Sequence, residues 1–287
     1  MDISGFFRAK EKEGDLRSED GILICGVCGE PKERRIDGAD FPVVTLCECD
    51  RRALEERGAA DREQEKIQER IRVKEAVRRC FCELGPDGVR KAENMTFEKD
   101  RWPDSRQSVY CRRYADGFGD VLRENVGLVL YGPVGSGKTF LAACVCSRVV
   151  EKGYTARFLN LGALAQKSVS IKETEREEAR EAIMTPDLIV LDDLGVERRS
   201  EYMDEAVYTV VNARYMANKP AIFTTNLRTS DFENPKDERQ KRIYSRIVGM
   251  CDFVPVNGPD RRIGEHNIKK NRIGKILKGA EQNSTNE

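Results

Sequence analysis

The stretch VGLVLYGPVGSGKT, residues 126–139, decides the fold of this 287-residue chain. An apolar run with strand composition leads into the pattern G-x-x-x-x-G-K-[ST], and a predicted helix follows it. In this context the glycines let successive backbone N–H groups curl around phosphate oxygens, and the first turn of the helix adds a favourable dipole. The stretch therefore predicts a nucleotide-binding loop between a strand and a helix of an α/β domain.

The loop residues are expected to hold ATP and Mg²⁺ in different ways. Lys138 is expected to reach the β- and γ-phosphates, and the hydroxyl of Thr139 to ligate Mg²⁺. Further contacts with ATP are predicted for Gly132, Pro133, Val134, Gly135, Ser136, Gly137 and Phe140.

Downstream, apolar runs alternate with helical stretches, which is typical of a parallel sheet with helical crossovers. The predicted strands are residues 126–131, 156–161, 188–192, 221–226 and 251–256. The predicted helices are residues 138–151, about 162–184, 203–217 and 237–249. This alternation predicts one α/β domain over residues 96–268.

An apolar strand ends in two carboxylates in LIVLDDLG, residues 188–195. Asp192 is placed to bind the metal through its water shell, and Asp193 to polarise the attacking water. The alternative is a pair of acids at a strand end that caps the following turn.

A second apolar strand ends in Thr-Thr-Asn, within AIFTTNL at residues 221–227. Polar groups at the end of a buried strand are costly unless they have partners. If this strand lies between the loop strand and the acidic strand, Asn226 points at the γ-phosphate and orients water. The alternative is a simple turn.

Arginines follow in YSRI, residues 244–247, and GPDRR, residues 258–262. An arginine can stabilise charge on the γ-phosphate from the same subunit or from a neighbour. Arg246 is placed like an arginine finger given to the adjacent subunit, and Arg262 or Arg261 like a sensor within the subunit. Each could instead be an ordinary surface arginine.

Composition limits the other options. Fifty basic and fifty acidic residues cancel, so any contact with nucleic acid needs a local patch. No apolar run approaches the length of a membrane span and the amino terminus lacks a signal-peptide pattern, so we expect a cytoplasmic protein with no membrane contact. Ten cysteines in such a chain argue against a disulfide framework.

Four of those cysteines form two close pairs, Cys25 with Cys28 and Cys47 with Cys49. Two short-spaced thiolate pairs bridged by a loop suit tetrahedral Zn²⁺, and a small module gains folding energy from a metal. The sequence predicts a structural zinc site at residues 1–50; redox-active or unpaired thiols are the alternative. Cys80 and Cys82 could compete as ligands, although local packing is the simpler interpretation.

Charge patterning separates the remaining regions. Residues 51–95 form a linker, whose part at 51–83 predicts a charged helix that either connects or binds a partner. Residues 269–287 are basic and then polar, and we expect them to be disordered.

The motifs GPVGSGKT, LDDLGVE, FTTNL, YSRI and GPDRR, in this order, resemble those of AAA+ ATPases of the initiator branch. Within that branch the chain resembles the DnaC- and DnaI-like replicative helicase loaders over residues 95–265. The resemblance implies a three-layer parallel-sheet domain. Only about 30 residues follow the fifth strand, so we expect the multi-helix lid common in AAA+ proteins to be truncated, as in loaders and IstB-like ATPases.

The resemblance implies an ATPase that self-associates when ATP is bound, grips single-stranded DNA and delivers a DnaB-type hexameric helicase. It also implies that the zinc module engages the helicase. Two alternatives stay open: an IstB-like ATPase that regulates a transposase on duplex DNA, and an adaptor that binds ATP without hydrolysing it. Candidate DNA contacts are Lys167, Lys172, Lys269, Lys270, Arg272, Lys275 and Lys278.

Overall fold

The computed structural model describes residues 9–36, 42–195, 201–260, 270 and 273. The chain divides into two compact units, Met1–Arg72 and Val73–Glu287, and the division falls inside the predicted linker. Among the described residues, no helix combines the length and the apolar character that a membrane crossing requires.

The first unit contains two small antiparallel hairpins. Strand β1 (Leu16–Arg17) pairs with β2 (Leu23–Ile24), and β3 (Glu33–Arg34) pairs with β4 (Val43–Val44). A buried lysine ties the unit together, because Lys32 Nζ lies 2.7 Å from Asp15 and 3.5 Å from Asp50. Asp15 in turn accepts a hydrogen bond from the backbone N–H of Gly26 at 3.1 Å. The turn that carries the first cysteine pair is thus held by a buried ion pair.

Helix α1 (Glu48–Cys80) fulfils the prediction of a charged helix and begins three residues earlier than expected. Acidic residues lie in its first turn and arginines in its last turn, which is the arrangement that the helix dipole favours. Most of its side chains are exposed. Its last turn is different, because Cys80 and the following Phe81 are buried in the core of the second unit.

The second unit is built on a five-stranded parallel sheet. Its strands are β5 (Gly127–Tyr131), β6 (Ala156–Asn160), β7 (Leu188–Leu194), β8 (Ala221–Thr225) and β9 (Cys251–Pro255). Their order across the sheet is β6-β7-β8-β5-β9, with every pairing parallel. All the predicted strands are confirmed, and β8 lies between the loop strand and the acidic strand as the position of Asn226 required.

Both faces of this sheet are covered, because alternate strand residues enter two separate cores. In β5, Leu128 and Leu130 face one core and Val129 faces the other. Helices α3 (Arg106–Asp116), α4 (Phe118–Glu124) and α5 (Lys138–Glu151) contribute to the first core. The second core contains residues of α6 (Leu161–Ser168), α7 (Glu173–Met184), α8 (Glu201–Met216) and α10 (Glu238–Met250). The described part of this unit also contains helices α2 (Gly85–Ala92) and α9 (Thr229–Glu233). The three-layer α/β fold is confirmed.

One predicted helix is wrong. Residues 162–184 form two helices, α6 and α7, instead of one. Between them the side chain of Ser168 donates to the carbonyl of Ala165, and that of Ser170 accepts from the backbone N–H of Lys172. Serine side chains that bond the nearby backbone compete with helical hydrogen bonds, which is why the helix stops here.

Arg214, in α8, is fully buried. Its guanidinium donates to the carbonyl oxygens of Ile183, Pro186, Asp187 and Pro220, at 2.7–2.9 Å. These carbonyls come from the end of α7 and from the segments that lead into β7 and β8. Burial lowers the pKa of Arg214 to about 10. One side chain thus satisfies the backbone at the base of two neighbouring strands.

Replacing Arg214 with Met should lower the free energy of unfolding by about 3 kcal/mol or more, because several buried carbonyls lose their donor. Arg214→Lys should not restore stability, since one ammonium cannot reproduce the planar fork. Urea denaturation measures both changes. Arg180→Met, on the exposed face of α7, is the control and should change little; an Arg214→Met protein as stable as the wild type would contradict this role.

Candidate functional site

The predicted phosphate loop joins β5 to α5 and curls as its glycines allow. Gly132, Gly135 and Gly137 have φ angles of 152°, 79° and 104°, which L side chains rarely adopt. Space requires glycine at Gly132, because the clash there is with backbone, whereas the clash at Gly135 is with a side chain that can move. A Cβ on Gly132 would meet the carbonyl of Val256, and a Cβ on Gly135 would meet the carboxylate of Asp260.

The loop has the features of a cradle for an anion. Ser136 is 2% exposed, and its hydroxyl has no hydrogen-bond partner among the described residues. The loop leads directly into the first turn of α5, whose N-cap is Gly137. An unsatisfied buried hydroxyl beside a helix N-terminus suits a phosphate. The residues present therefore fit the phosphates of ATP.

Lys138 lies at the centre of the site and is 9% exposed. Its Nζ donates to the carbonyls of Gly132 and Pro133, at 3.0 and 2.8 Å, and to Asn226 Oδ1 at 2.8 Å. The ammonium is thus held within the loop and against the end of β8. The structure brings together Lys138 and Asn226, which are far apart in sequence.

Asp192 lies next to the other end of the loop. Its Oδ1 accepts hydrogen bonds from Thr139 Oγ1 at 3.0 Å and from Thr224 Oγ1 at 2.5 Å. Burial raises the pKa of Asp192, and the two hydroxyls act in the opposite direction. The two residues predicted to hold Mg²⁺, Thr139 and Asp192, are therefore in direct contact, and their oxygen atoms suit this ion.

Asp193 has surroundings different from those of the preceding Asp192. Its φ of 67° is unusual for a residue with a side chain. Its backbone N–H donates to Thr224 Oγ1 at 3.0 Å, and the residue is exposed. The two carboxylates therefore have different surroundings, one fixed by hydroxyls and one open to solvent.

Arg246 does not join this group; it lies on α10 and contacts α8. Its guanidinium bonds Asn212 Oδ1 and the Tyr208 hydroxyl, each at 2.9 Å, and also the carbonyl of Arg242. It stacks over the ring of Tyr208 with 4.8 Å between the guanidinium carbon and the ring centroid. Sequence reasoning missed Tyr208 and Asn212, since only their spacing on α8 could have suggested them.

Several predicted residues have other partners or are not described. Lys167 pairs with Glu83 at 3.2 Å, and Lys172 with Glu175 at 2.9 Å, so both cations already face acids. Lys270 is exposed. The remaining predicted positions lie outside the described residues: Arg261, Arg262, Lys269, Arg272, Lys275 and Lys278.

The first unit brings three cysteines together. The Sγ atoms of three cysteines all lie within 4.8 Å of one another: Cys25, Cys28 and Cys47. Cys49 is outside this group. Backbone N–H groups of Cys28 and Val27 lower the pKa of Cys25 to about 7, while hydrogen bonding to Cys28 raises that of Cys49 to about 11. A thiol set with one stabilised thiolate fits a soft metal ion such as Zn²⁺.

The other short cysteine pair was predicted to pack locally, but its contacts are with residues distant in sequence, and Cys80 is buried whereas Cys82 is exposed. Cys80 Sγ lies 2.9 Å from Cys146 Sγ, and Cys82 Sγ accepts a 3.6 Å hydrogen bond from Arg157. Cys111, Cys144 and Cys146 are buried.

The chain is similar in sequence to known proteins. The IstB-like ATP-binding protein family matches residues 89–268. Replicative helicase loader DnaI of Bacillus subtilis is 26% identical over 147 residues, which is 47% of this chain and 47% of DnaI. An insertion-sequence ATP-binding protein of Sinorhizobium fredii is 30% identical over 95 residues, 33% of this chain and 32% of that protein.

The crystal structure of the DnaC helicase loader superposes with a TM-score of 0.49 and 24% identity, covering 58% of this chain and 99% of the DnaC chain. The chain thus spans about half the length of DnaI and about a third of the insertion-sequence protein. The similarity to helicase loaders that the motifs indicated is confirmed. Because the family match extends over more than half of its residues, the chain belongs to the IstB-like ATP-binding protein family.

Proposed function

We propose that this protein is an ATPase of the helicase-loader type, which binds ATP and single-stranded DNA and delivers a DnaB-type hexameric helicase. The observation that carries the proposal is the joined site: Lys138 bonds Asn226, and Thr139 bonds Asp192. The similarity to the helicase loader DnaI supports the helicase-loading part of the proposal.

In this proposal each side chain has one task. Lys138 binds the β- and γ-phosphates, and Asn226 orients the attacking water. Thr139 and Asp192 hold Mg²⁺, which supplies positive charge to the phosphate oxygens. Asp193 polarises the water, which suits its exposed position.

The negative charge that develops on the γ-phosphate is stabilised by arginine. Arg246 acts on the nucleotide of an adjacent subunit, so the protein must self-associate in the ATP-bound state to complete the site. Arg262 is proposed as a sensor within the subunit. Hydrolysis then ends the assembled state and releases the helicase.

The proposed organisation assigns residues 1–50 to a zinc module that engages the helicase. Cys25, Cys28, Cys47 and Cys49 are its proposed ligands, and residues 51–95 connect it to the ATPase domain at 96–268.

A second candidate function is regulation of a transposase on duplex DNA. The similarity to an insertion-sequence ATP-binding protein favours it. The third interpretation, an adaptor that binds ATP without hydrolysing it, is opposed by the presence of all the hydrolytic side chains. The type of DNA bound separates the first two functions, and multiple-turnover phosphate release excludes the third.

We expect a mixing experiment to reveal the shared site. Lys138→Ala should weaken ATP binding roughly 100-fold or more, because a charged contact with the phosphates is lost. Arg246→Ala should bind ATP normally and lower kcat in the assembled state roughly 10³-fold. Mixing these two inactive variants should restore phosphate release, since one supplies the loop and the other the arginine.

Two controls accompany the mixture. Lys152→Ala, at the far end of α5, should bind ATP like the wild type. Lys241→Ala, on the exposed face of α10, should keep its hydrolysis. If Arg246→Ala alone hydrolyses ATP at the wild-type rate when assembled, the site is not shared between subunits.

Zinc analysis of the purified protein should give about one Zn²⁺ per chain. Metal binding by the thiols can supply the folding free energy that the small core of this module does not. Cys25→Ser should lose the metal, whereas Cys82→Ser should retain it. Cys49→Ser decides between three and four thiolate ligands. Full metal content in a Cys25→Ser/Cys28→Ser variant would rule out this assignment.

With ATP present, we expect the protein to bind a single-stranded oligonucleotide at least about tenfold more tightly than the duplex of the same sequence. The binding should weaken with salt, as phosphate contacts require. Fluorescence anisotropy measures both affinities. A preference for duplex DNA would favour the transposase regulator.

Loading itself can be tested with closed circular single-stranded DNA and the replicative helicase of the source organism. A closed ring cannot thread onto a circle unless the ring is opened. Helicase should therefore co-elute with the circle only when this protein and ATP are both present. Equal recovery with and without the protein would contradict a loading role.

A further inference from the structure

The acidic strand contains an irregularity at the site. In the pairing of β7 with β8, Leu191 lies opposite Phe223, but Leu194 lies opposite Thr225. Two residues of β7, Asp192 and Asp193, therefore share one residue of β8, Thr224. This is a β-bulge, and the positive φ of Asp193 lets the extra residue fit.

A bulge leaves backbone groups without their partners in the ladder, and such groups are costly when buried. Here two threonine hydroxyls replace the missing partners. Thr224 Oγ1 accepts from the N–H of Asp193 at 3.0 Å. Thr225 Oγ1 donates to the carbonyl of Leu194 at 2.7 Å and accepts from the N–H of Leu227 at 3.0 Å. Both threonines are 1% exposed.

The two hydroxyls differ in where their single proton goes. Thr225 gives its proton to the backbone. Thr224 gives its proton to Asp192 Oδ1 at 2.5 Å, within the range of a charge-assisted bond to a carboxylate. The Thr224 hydroxyl thus contacts the carboxylate of Asp192 and the backbone N–H of Asp193.

This contact fixes the orientation of Asp192. Thr139 and Thr224 donate to the same carboxylate oxygen, Oδ1, and neither bonds Oδ2. Both hydroxyls therefore hold the carboxylate through Oδ1, and Oδ2 would be available to a hydrated Mg²⁺. Partners of this kind fix the orientation of metal-binding carboxylates.

We propose that Thr224 is a positioning residue for ATP hydrolysis: its hydroxyl locks the Asp192 carboxylate toward Mg²⁺ and holds the bulge that turns Asp193 outward. Thr225 supports only the backbone of the same bulge. The inference rests on the proposed ATP-binding and hydrolytic function, and deepens it by assigning Thr224 of β8 a role distinct from that of Asn226.

The chain offers a matched pair of variants for the test, because Thr224 and Thr225 are adjacent, equally buried and identical in type. Thr224→Val and Thr225→Val each remove one hydroxyl at nearly constant volume, and both should lower the thermal unfolding temperature. Only Thr224→Val should lower kcat, roughly 10- to 100-fold, with KM for ATP within about threefold of the wild type. Thr224→Ser, which keeps the hydroxyl, should restore kcat to within about threefold.

A second readout does not depend on turnover. A fluorescent ATP analogue is titrated against the protein over a series of Mg²⁺ concentrations. Thr224→Val should raise the Mg²⁺ concentration for half-maximal binding roughly tenfold, and Thr225→Val should leave it unchanged. In an Asp192→Ala background Thr224→Val should have no further effect on the Mg²⁺ dependence, because the acceptor of its hydroxyl is gone.

Equal changes in kcat and Mg²⁺ dependence for the two valine variants would reduce Thr224 to a structural residue and overturn the proposal. Wild-type values for Thr224→Val would do the same. If Thr224→Val does not fold, Thr224→Ala removes the hydroxyl without the added methyl and decides the question. Failure of helicase loading would leave this test intact, since the titration requires only Mg²⁺-dependent nucleotide binding.

Discussion

The site depends on the position of β8, which is hydrogen-bonded to β5 on one side and to β7 on the other. Because all three strands are parallel, their carboxyl ends meet at one edge of the sheet. The bond from Lys138 to Asn226, 88 residues away, and the bond from Thr224 to Asp192 both follow from this arrangement. If β8 lay at an edge of the sheet, one of these contacts would be lost.

The same edge is where the fold becomes polar. Strands whose residues face two apolar cores end in threonine, asparagine and aspartate, and each buried polar group needs a partner. The threonine hydroxyls of β8 supply partners for β7, and the lysine of α5 supplies one for β8. Satisfying the strand ends and assembling the nucleotide site are therefore the same structural task.

Much of this organisation could be predicted from the sequence. The apolar runs predicted every strand of the sheet. The Thr-Thr-Asn ending indicated that polar side chains at the end of β8 need hydrogen-bond partners. Periodicity could not show that α6 and α7 are separate, because serine side chains, not a change in hydrophobic pattern, end the first helix.

The β-bulge at Asp192 and Asp193 was equally hidden, since the apolar run of LIVLDDL followed by two acids is as compatible with a regular buried strand as with a bulged one. The burial of Arg214 depends on carbonyls that come together only in the folded chain. Such features arise from long-range geometry, which local patterns do not record.

In the proposed self-association, the contacts that hold Arg246 against α8 have a thermodynamic consequence. A free arginine loses substantial rotamer entropy when it docks, and that loss weakens association. The guanidinium of Arg246 is already fixed by Tyr208 and Asn212 on α8, so most of that loss is incurred during folding of the single chain. Under the proposed function, a side chain preorganised in this way engages a neighbour's nucleotide at lower entropic cost, to an extent set by the packing of α8 against α10.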